Sequence, residues 1–177
     1  MTRALLTAIL IGAAVGLVVL GVAYVQPPRA ALAVGDPAPD FTLTARDGRT
    51  VRLSALRGAP ILLVAFESSC RVCRIQLAEI EHVQRVHGGL VVLGVAFDRD
   101  TRALDELLAG KRVSFDVCLD PEGRTLQAAY GAIEVPRAYL IDADGRIAAL
   151  HAGEVNWRGP EIRSTIERLL QARYGAQ

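Results

Sequence analysis

Two uninterrupted apolar segments constrain the fold of this chain more than any other feature of its sequence. They span residues 61–66 (ILLVAF) and 90–97 (LVVLGVAF). Segments this short are typical of strands, and strands that are apolar on both sides occur in sheets whose two faces are covered. The two segments therefore predict buried strands at the centre of an α/β domain.

The other predicted elements alternate around these two strands. Asp47-Gly48 and Asp144-Gly145 each separate two short β-prone segments, a pattern typical of hairpins. A further short strand is predicted at 115–119. Helix start and stop signals predict helices at residues 70–87, 101–109, 124–130 and 160–174. This alternation predicts a three-layer α/β domain with a mixed central sheet.

Residues 4–25 form an uncharged apolar run of 22 residues. A helix of that length is about 33 Å long, which is enough to cross the hydrocarbon core of a membrane. Arg3 precedes the run and Pro27-Pro28 follows it, so the positive-inside rule predicts a cytoplasmic N-terminus and an exported remainder. A cleaved signal peptide is the alternative, because Ala31-Leu32-Ala33 has the form of a cleavage site, but its apolar core would be unusually long.

Composition restricts the function classes that remain. The chain carries 20 basic and 19 acidic residues, a formal net charge of +1. A nucleic-acid binder needs a surplus of basic residues to neutralise phosphates, so this class is excluded. Three cysteines are too few for a disulfide-stapled scaffold. Together with the apolar run at 4–25, this charge balance predicts an anchor or signal peptide with its linker at 1–33, followed by a nearly neutral exported domain at 34–177.

The candidate chemistry lies at Cys70-Arg71-Val72-Cys73, where a predicted helix begins shortly after a buried strand. Two cysteines at this spacing can close a small disulfide ring. The dipole and unpaired N–H groups of a helix N-terminus stabilise the thiolate of the first cysteine, and the second lies one turn further in. A zinc half-site and an inert structural disulfide remain open, although the sequence has no second CxxC or close histidine pair. The pattern favours a redox pair.

Further motifs follow in a fixed order along residues 35–174. They are GDPAPDF at 35–41, the Asp47-Gly48 hairpin with LSALRG at 53–58, CRVCR at 70–74, DPEG at 120–123, Tyr130-Gly131, Val135-Pro136 with YLID at 139–142, Asp144-Gly145, and GEVNW at 153–157 with Pro160-Glu161. In these motifs the chain resembles the membrane-anchored thioredoxin-like thiol–disulfide oxidoreductases of the TlpA/ResA type. The resemblance implies a thioredoxin-like fold with an N-terminal hairpin, one extra strand–helix insertion and a preceding transmembrane helix. It also implies a cis peptide bond at Pro136, facing the cysteine pair.

The chain departs from this family around its cysteines. Ser69 replaces the usual tryptophan before the first cysteine, while Gln76 and Val64 occupy positions that carry acidic or polar residues in many relatives. The usual proton-accepting carboxylate is therefore missing. Glu67 is the nearby candidate to accept the proton of the second cysteine, and a solvated loop acid is the alternative interpretation of this residue.

The resemblance also implies a mechanism and a client site. Cys70 is the expected attacking thiolate and Cys73 the resolving thiol, joined in a redox-active disulfide that needs no further cofactor and no metal. Val135 is expected to offer its backbone to an extended client segment, while Pro136 keeps this site in reach of the sulfur. Arg71 is expected to contact substrate or to lower the pKa of the first thiol, together with Arg74 and Arg137, unless these arginines are only solvated.

Two other residues have simpler interpretations. Cys118 lies on the predicted strand 115–119, and a lone cysteine there is expected to be a buried apolar residue rather than a third redox thiol. Trp157 is expected to cover the edge of the sheet before the last helix. Neither residue is therefore assigned to the chemistry.

Three function classes compete for these residues. The first is an oxidoreductase of a bacterial inner membrane, held in the bilayer by residues 4–25, with its domain on the periplasmic side. It would reduce exported proteins with disulfides, with cytochrome c maturation as one such pathway, and receive electrons from a membrane thiol transporter. The second is a thiol peroxidase, which would need Thr or Ser where this chain has Glu67. The third is a copper carrier, which would need three residues between its cysteines and a later histidine.

Overall fold

The structure is a computed structural model that describes residues 32–132 and 134–175. Seven strands and four α-helices lie within these residues. The strands are β1 (Thr42–Ala45), β2 (Thr50–Arg52), β3 (Ile61–Phe66), β4 (Val91–Ala96), β5 (Asp116–Leu119), β6 (Arg137–Ile141) and β7 (Ile147–Ala152). The helices are α1 (Arg71–Val86), α2 (Thr101–Lys111), α3 (Arg124–Tyr130) and α4 (Pro160–Gly175).

The strands form one sheet in the order β2-β1-β5-β4-β3-β6-β7. β3, β4 and β5 are mutually parallel, and all other neighbours are antiparallel. Every residue of β3 is buried, because this strand is central and both of its faces are covered. The mixed sheet, both hairpins and the two buried strands predicted from the sequence are confirmed.

The two faces of the sheet are covered by different elements. Leu62, Val64 and Phe66 of β3 share one core cluster with residues of α1, α2 and α4. Leu63 and Ala65 point to the opposite face, where they share a second cluster with α3 and the segment that leads into β1. Two apolar faces covered in this way make three layers, as predicted.

The segment before β1 is fixed at one end of the sheet. Gly35 N donates a hydrogen bond of 2.8 Å to Ile147 O, and Pro37 forms an isolated bridge with Arg146. Both contacts lie beside the β6–β7 turn, where β3 begins. The CxxC segment follows the other end of β3.

The helix boundary that differs most from the sequence prediction is the end of α2; the ends of α1 and α4 differ by one residue. α2 continues to Lys111, two residues beyond the predicted end at Ala109, and Arg112 terminates it with a left-handed backbone (φ 52°). The intervening Gly110 costs a helix only about 1 kcal/mol relative to alanine. The buried leucines of α2 anchor it to the sheet and outweigh this cost; they are Leu104, Leu107 and Leu108.

The predicted membrane helix at 4–25 and nearly all of its predicted linker lie outside the described residues. Across residues 32–132 and 134–175, none of the helices combines the length and apolar character that a membrane crossing requires. The anchored topology therefore stays a prediction.

Candidate active site

The two cysteines lie at the start of α1 and form a disulfide with a Cα–Cα distance of 5.3 Å. Cys70 is the N-cap residue, and its Sγ accepts a hydrogen bond of 3.1 Å from Cys73 N. A sulfur in this position receives one of the N–H groups that a helix start leaves without a backbone partner. The same N–H group and the helix dipole stabilise a thiolate on Cys70 when the pair is reduced.

The two sulfurs differ in their access to solvent. Cys70 is partly buried, whereas Cys73 is only 1 % exposed and packs in the core cluster beneath α1. Cys73, which the sequence places one turn further into the helix, is therefore the less accessible of the two cysteines. An external disulfide can therefore approach Cys70 more readily than Cys73.

The Val135–Pro136 segment lies directly opposite the disulfide. Its peptide bond is cis, as the resemblance implied, and Val135 O is 3.9 Å from Cys70 Sγ. Pro136 is buried, and its carbonyl accepts a hydrogen bond of 2.9 Å from Gly153 N. These contacts hold the backbone of Val135 next to the reactive sulfur.

Glu67 borders a groove of about 470 Å³ beside the cysteine pair. The groove is lined by residues of the β3–α1 loop, the β4–α2 loop, the turn before α3 and Val135. Glu67 is partly buried there, and its backbone carbonyl accepts a hydrogen bond of 3.1 Å from Cys70 N. Its carboxylate makes no hydrogen bond or ion pair with another described residue, so proton transfer from Cys73 remains a prediction.

Among the described residues, no hydrogen bond joins the predicted arginine rim to the two sulfurs. Arg71 is exposed as the first residue of α1, and Arg74 is exposed on the next turn. Arg137 is partly buried on β6, and its Nε lacks a hydrogen-bond partner among the described residues. A role for Arg71 in substrate binding therefore stays a prediction, one that rests on its place between the cysteines.

A buried link between α1 and the C-terminal segment escaped the sequence analysis. Gln76 is 3 % exposed, and its Nε2 donates to Val155 O at 3.2 Å. Its Oε1 accepts a hydrogen bond of 3.1 Å from Trp157 Nε1. Trp157 is buried at the sheet, as predicted, and this link positions α1 one turn beyond Cys73. The signal available in the sequence was a glutamine at a position that is acidic in many relatives.

Asp98 is a second residue that the sequence analysis missed. It follows β4, is buried, and accepts hydrogen bonds from Ser68 in the loop that leads to Cys70. The available signal was an acidic residue directly after an apolar strand, at the sheet edge where the cysteine loop also begins.

Cys118 on β5 is fully buried between its sheet neighbours Ala45 and Val95. Burial raises the pKa of its thiol to about 11, with a smaller contribution from the nearby carboxylate of Asp116. A neutral thiol is a poor nucleophile. The structure therefore supports the prediction that Cys118 is a packing residue.

Comparisons with known proteins agree with this geometry. The sequence matches the AhpC/TSA family over residues 34–150. The thiol-disulfide oxidoreductase ResA of Geobacillus thermodenitrificans is 26 % identical over 127 residues, which are 71 % of this chain and 72 % of ResA. The thioredoxin-like protein YneN of Bacillus subtilis is 27 % identical over 137 residues, which are 75 % of this chain and 79 % of YneN.

A solved structure supports the same relationship. It is described as a thiol:disulfide interchange protein DsbE from Chlorobium tepidum, and it is 30 % identical with a TM-score of 0.73. The match covers 79 % of this chain and 99 % of the DsbE chain. These relatives favour a thiol–disulfide oxidoreductase over a thiol peroxidase or a copper carrier, and they confirm the thioredoxin-like fold. The chain therefore belongs to the AhpC/TSA family, and it is a thioredoxin-like thiol–disulfide oxidoreductase of the TlpA/ResA type.

Proposed function

We propose that this protein reduces disulfide bonds in exported proteins, with Cys70 as the attacking thiolate and Cys73 as the resolving thiol. The observation that carries the proposal is the asymmetry of the pair: Cys70 caps α1 and is partly accessible, whereas Cys73 is buried one turn further in. The helix N-terminus favours negative charge on Cys70 in particular.

The proposed reaction is a two-electron exchange. The Cys70 thiolate attacks one client sulfur, forms a mixed disulfide and expels the other client sulfur as a thiolate. Cys73 then gives up its proton, with Glu67 as the proposed acceptor, and attacks Cys70 Sγ. This step releases the second client thiolate and leaves the Cys70–Cys73 disulfide. Two electrons have then passed from the cysteine pair to the client, the proton of Cys73 is on Glu67, and the two client thiolates take up protons from solvent.

The client binds as an extended segment along the backbone of Val135, in the manner of an added strand. Support for this placement comes from the position of Val135 O, 3.9 Å from Cys70 Sγ. The neighbouring groove of about 470 Å³ takes side chains that flank the client disulfide. Arg71, exposed at the start of α1, is a further residue that contacts the client.

Cellular placement is a further part of the proposal. Residues 4–25 hold the protein in a bacterial inner membrane, the N-terminus is cytoplasmic, and the domain from residue 34 is periplasmic. A membrane thiol transporter returns electrons to the oxidised pair, and cytochrome c maturation is the proposed pathway. The resemblance to membrane-anchored family members supports these assignments.

The topology has a direct test in spheroplasts of cells that express the full chain. Protease added from outside is expected to degrade the domain while the cells stay intact, and the untreated protein is expected to sediment with membranes. A cytoplasmic marker protein serves as the control for lysis. Recovery of a soluble protein that begins near Val34 would instead support the cleaved signal peptide.

Reduction of insulin disulfides by the full chain, with a small thiol as electron donor, tests the proposed activity. We expect a rate at least about tenfold above that of the donor alone, because the helix-capping sulfur is a better nucleophile at neutral pH than an ordinary thiol. Hydrogen peroxide is the alternative substrate in a parallel assay. Consumption of peroxide that depends on Cys70, without insulin reduction, would favour a thiol peroxidase and contradict the proposal.

A further inference from the structure

Asp98 is a buried carboxylate near the cysteine pair to which the proposed reaction assigns no role. It is only 6 % exposed. Both of its oxygens accept a hydrogen bond from Ser68 N, at 3.2 and 3.1 Å, and Ser68 Oγ donates a short hydrogen bond to Oδ1. Within the described part of the chain, no basic side chain forms an ion pair with Asp98, since the adjacent Arg99 pairs with Glu122 at 2.7 Å.

The partner of Asp98 lies in the turn that carries the attacking sulfur. Cys70 N donates to Glu67 O, so residues 67–70 form a tight turn with Ser68 as its second residue. Asp98 ties this turn to the end of β4, the sheet neighbour of β3. The tie keeps Cys70 Sγ at the helix start and beside the backbone of Val135.

Holding the turn does not by itself require a negative charge. Asparagine has nearly the same shape, and its carbonyl oxygen can accept a hydrogen bond from Ser68. Burial of a neutral amide also costs much less free energy than burial of a carboxylate without a cationic partner. The charge at position 98 therefore calls for a second explanation.

The position of the charge supplies that explanation. A negative charge held on Ser68, two residues before Cys70, raises the free energy of the Cys70 thiolate, and so disfavours the reduced pair relative to the disulfide. This effect opposes that of the α1 N-terminus, which stabilises the thiolate and makes the disulfide more oxidising. A pair that is less stable in its reduced form is a stronger reductant.

We propose that Asp98 is a positioning residue of the redox site, which holds the turn that carries Cys70 and by its charge makes the Cys70–Cys73 pair more reducing. The proposal rests on the assignment of Cys70 as the attacking thiol. It gives the buried acid a role in setting the direction in which electrons flow.

The effect of the Asp98 charge is tested by equilibrating the full-length protein with glutathione redox buffers at pH 7. Alkylation followed by mass spectrometry measures the fraction of protein whose cysteine pair is reduced. Asp98→Asn is expected to shift the equilibrium constant threefold to tenfold toward the dithiol form; a tenfold shift corresponds to about 30 mV for a two-electron couple. This measurement needs no client protein. It therefore separates a failure of this proposal from a failure of the proposed client reduction.

Glu81→Gln is the control variant; unlike Asp98, Glu81 has a basic partner, since Arg85 Nε lies 3.9 Å from its Oε1. Glu81 is also 6 % exposed, and it accepts hydrogen bonds from Ser114 N and Oγ at 2.9 and 2.8 Å. It lies eight residues beyond Cys73, about 12 Å further along α1. We expect this variant to lose stability while its redox equilibrium stays within twofold of that of the parent protein.

Asp98→Ala tests the positioning role separately. Like Asp98→Asn, this variant lacks the charge, but it also lacks the oxygens that accept hydrogen bonds from Ser68. We therefore expect its kcat for insulin reduction to be at least fivefold lower than that of Asp98→Asn. An Asp98→Asn equilibrium within twofold of the parent, or a shift of equal size in Glu81→Gln, would overturn the electrostatic role. Equal kcat values for the two Asp98 variants would overturn the positioning role.

Discussion

Cys73→Ser is expected to accumulate covalent adducts with client proteins, whereas Cys70→Ser is expected to form none. The first variant keeps the sulfur at the helix start and can form the mixed disulfide, but it lacks the buried thiol that resolves it. Cys70→Ser lacks the accessible nucleophile, because a serine hydroxyl is not ionised at neutral pH. We expect insulin reduction to fall at least about a hundredfold in either variant.

The adducts are measured on non-reducing gels after acid quenching, and mass spectrometry identifies the cysteine that carries the client. Cys118→Ala is the control, because its thiol is buried in the sheet and is expected to contribute neither adducts nor turnover. Equal trapping by both serine variants would contradict the assigned order of the two cysteines. Adducts of Cys73→Ser that disappear when Cys118→Ala is added to the same protein would give Cys118 a redox role.

Phe66→Ala is expected to lower the free energy of unfolding by about 3–5 kcal/mol. Phe66 is fully buried at the end of β3, immediately before the loop that carries the cysteines.

Gly94 on β4 makes room for this ring: a Cβ there would lie 3.1 Å from ring atoms of Phe66 and Phe115, and 3.2 Å from Val117. We expect Gly94→Ala to cost about 1–3 kcal/mol through overpacking.

The double variant makes this expectation sharper. Without the Phe66 ring, a methyl group at position 94 fills part of the cavity. We therefore expect the double variant to lose at least about 0.5 kcal/mol less unfolding free energy than the sum of the two single-variant losses. Urea denaturation of the oxidised proteins supplies the free energies, and Phe66→Leu is the control that keeps most of the volume. Strictly additive losses would contradict this packing of β3 against β4.

Local sequence signals were sufficient for the elements that position the cysteines. In a strand, the continuous apolar run 61–66 places apolar side chains on both faces, so both faces must be shielded from water. The run forms β3 with the predicted bounds. Cys70 lies at the start of α1 as expected, and Val135–Pro136 lies opposite it, as the family resemblance implied. The order of the strands was not predictable in the same way, because β1 pairs with both β2 and β5.

The parts of the site that escaped prediction depend on contacts between distant residues. Asp98 and Ser68 are 30 residues apart, and Gln76 and Trp157 are 81 apart. An acidic residue directly after an apolar strand was the local signal at Asp98, but an ordinary solvated acid gives the same pattern. Its burial results only from the packing of β4 beside β3. Glu67, by contrast, was identified from its position alone, and its role as proton acceptor stays a prediction.

The contacts of Gly35 and Pro37 with the β6–β7 hairpin have a practical consequence. They place the start of the domain at one end of the sheet, while Cys70 lies at the other end. The six residues of β3 separate these two ends by roughly 20 Å. Anything attached ahead of this segment, such as an affinity tag or a solid support, is therefore joined far from the sulfur chemistry. A bulky protein client can therefore dock at the Cys70 end of the domain without contacting the segment around Gly35 and Pro37.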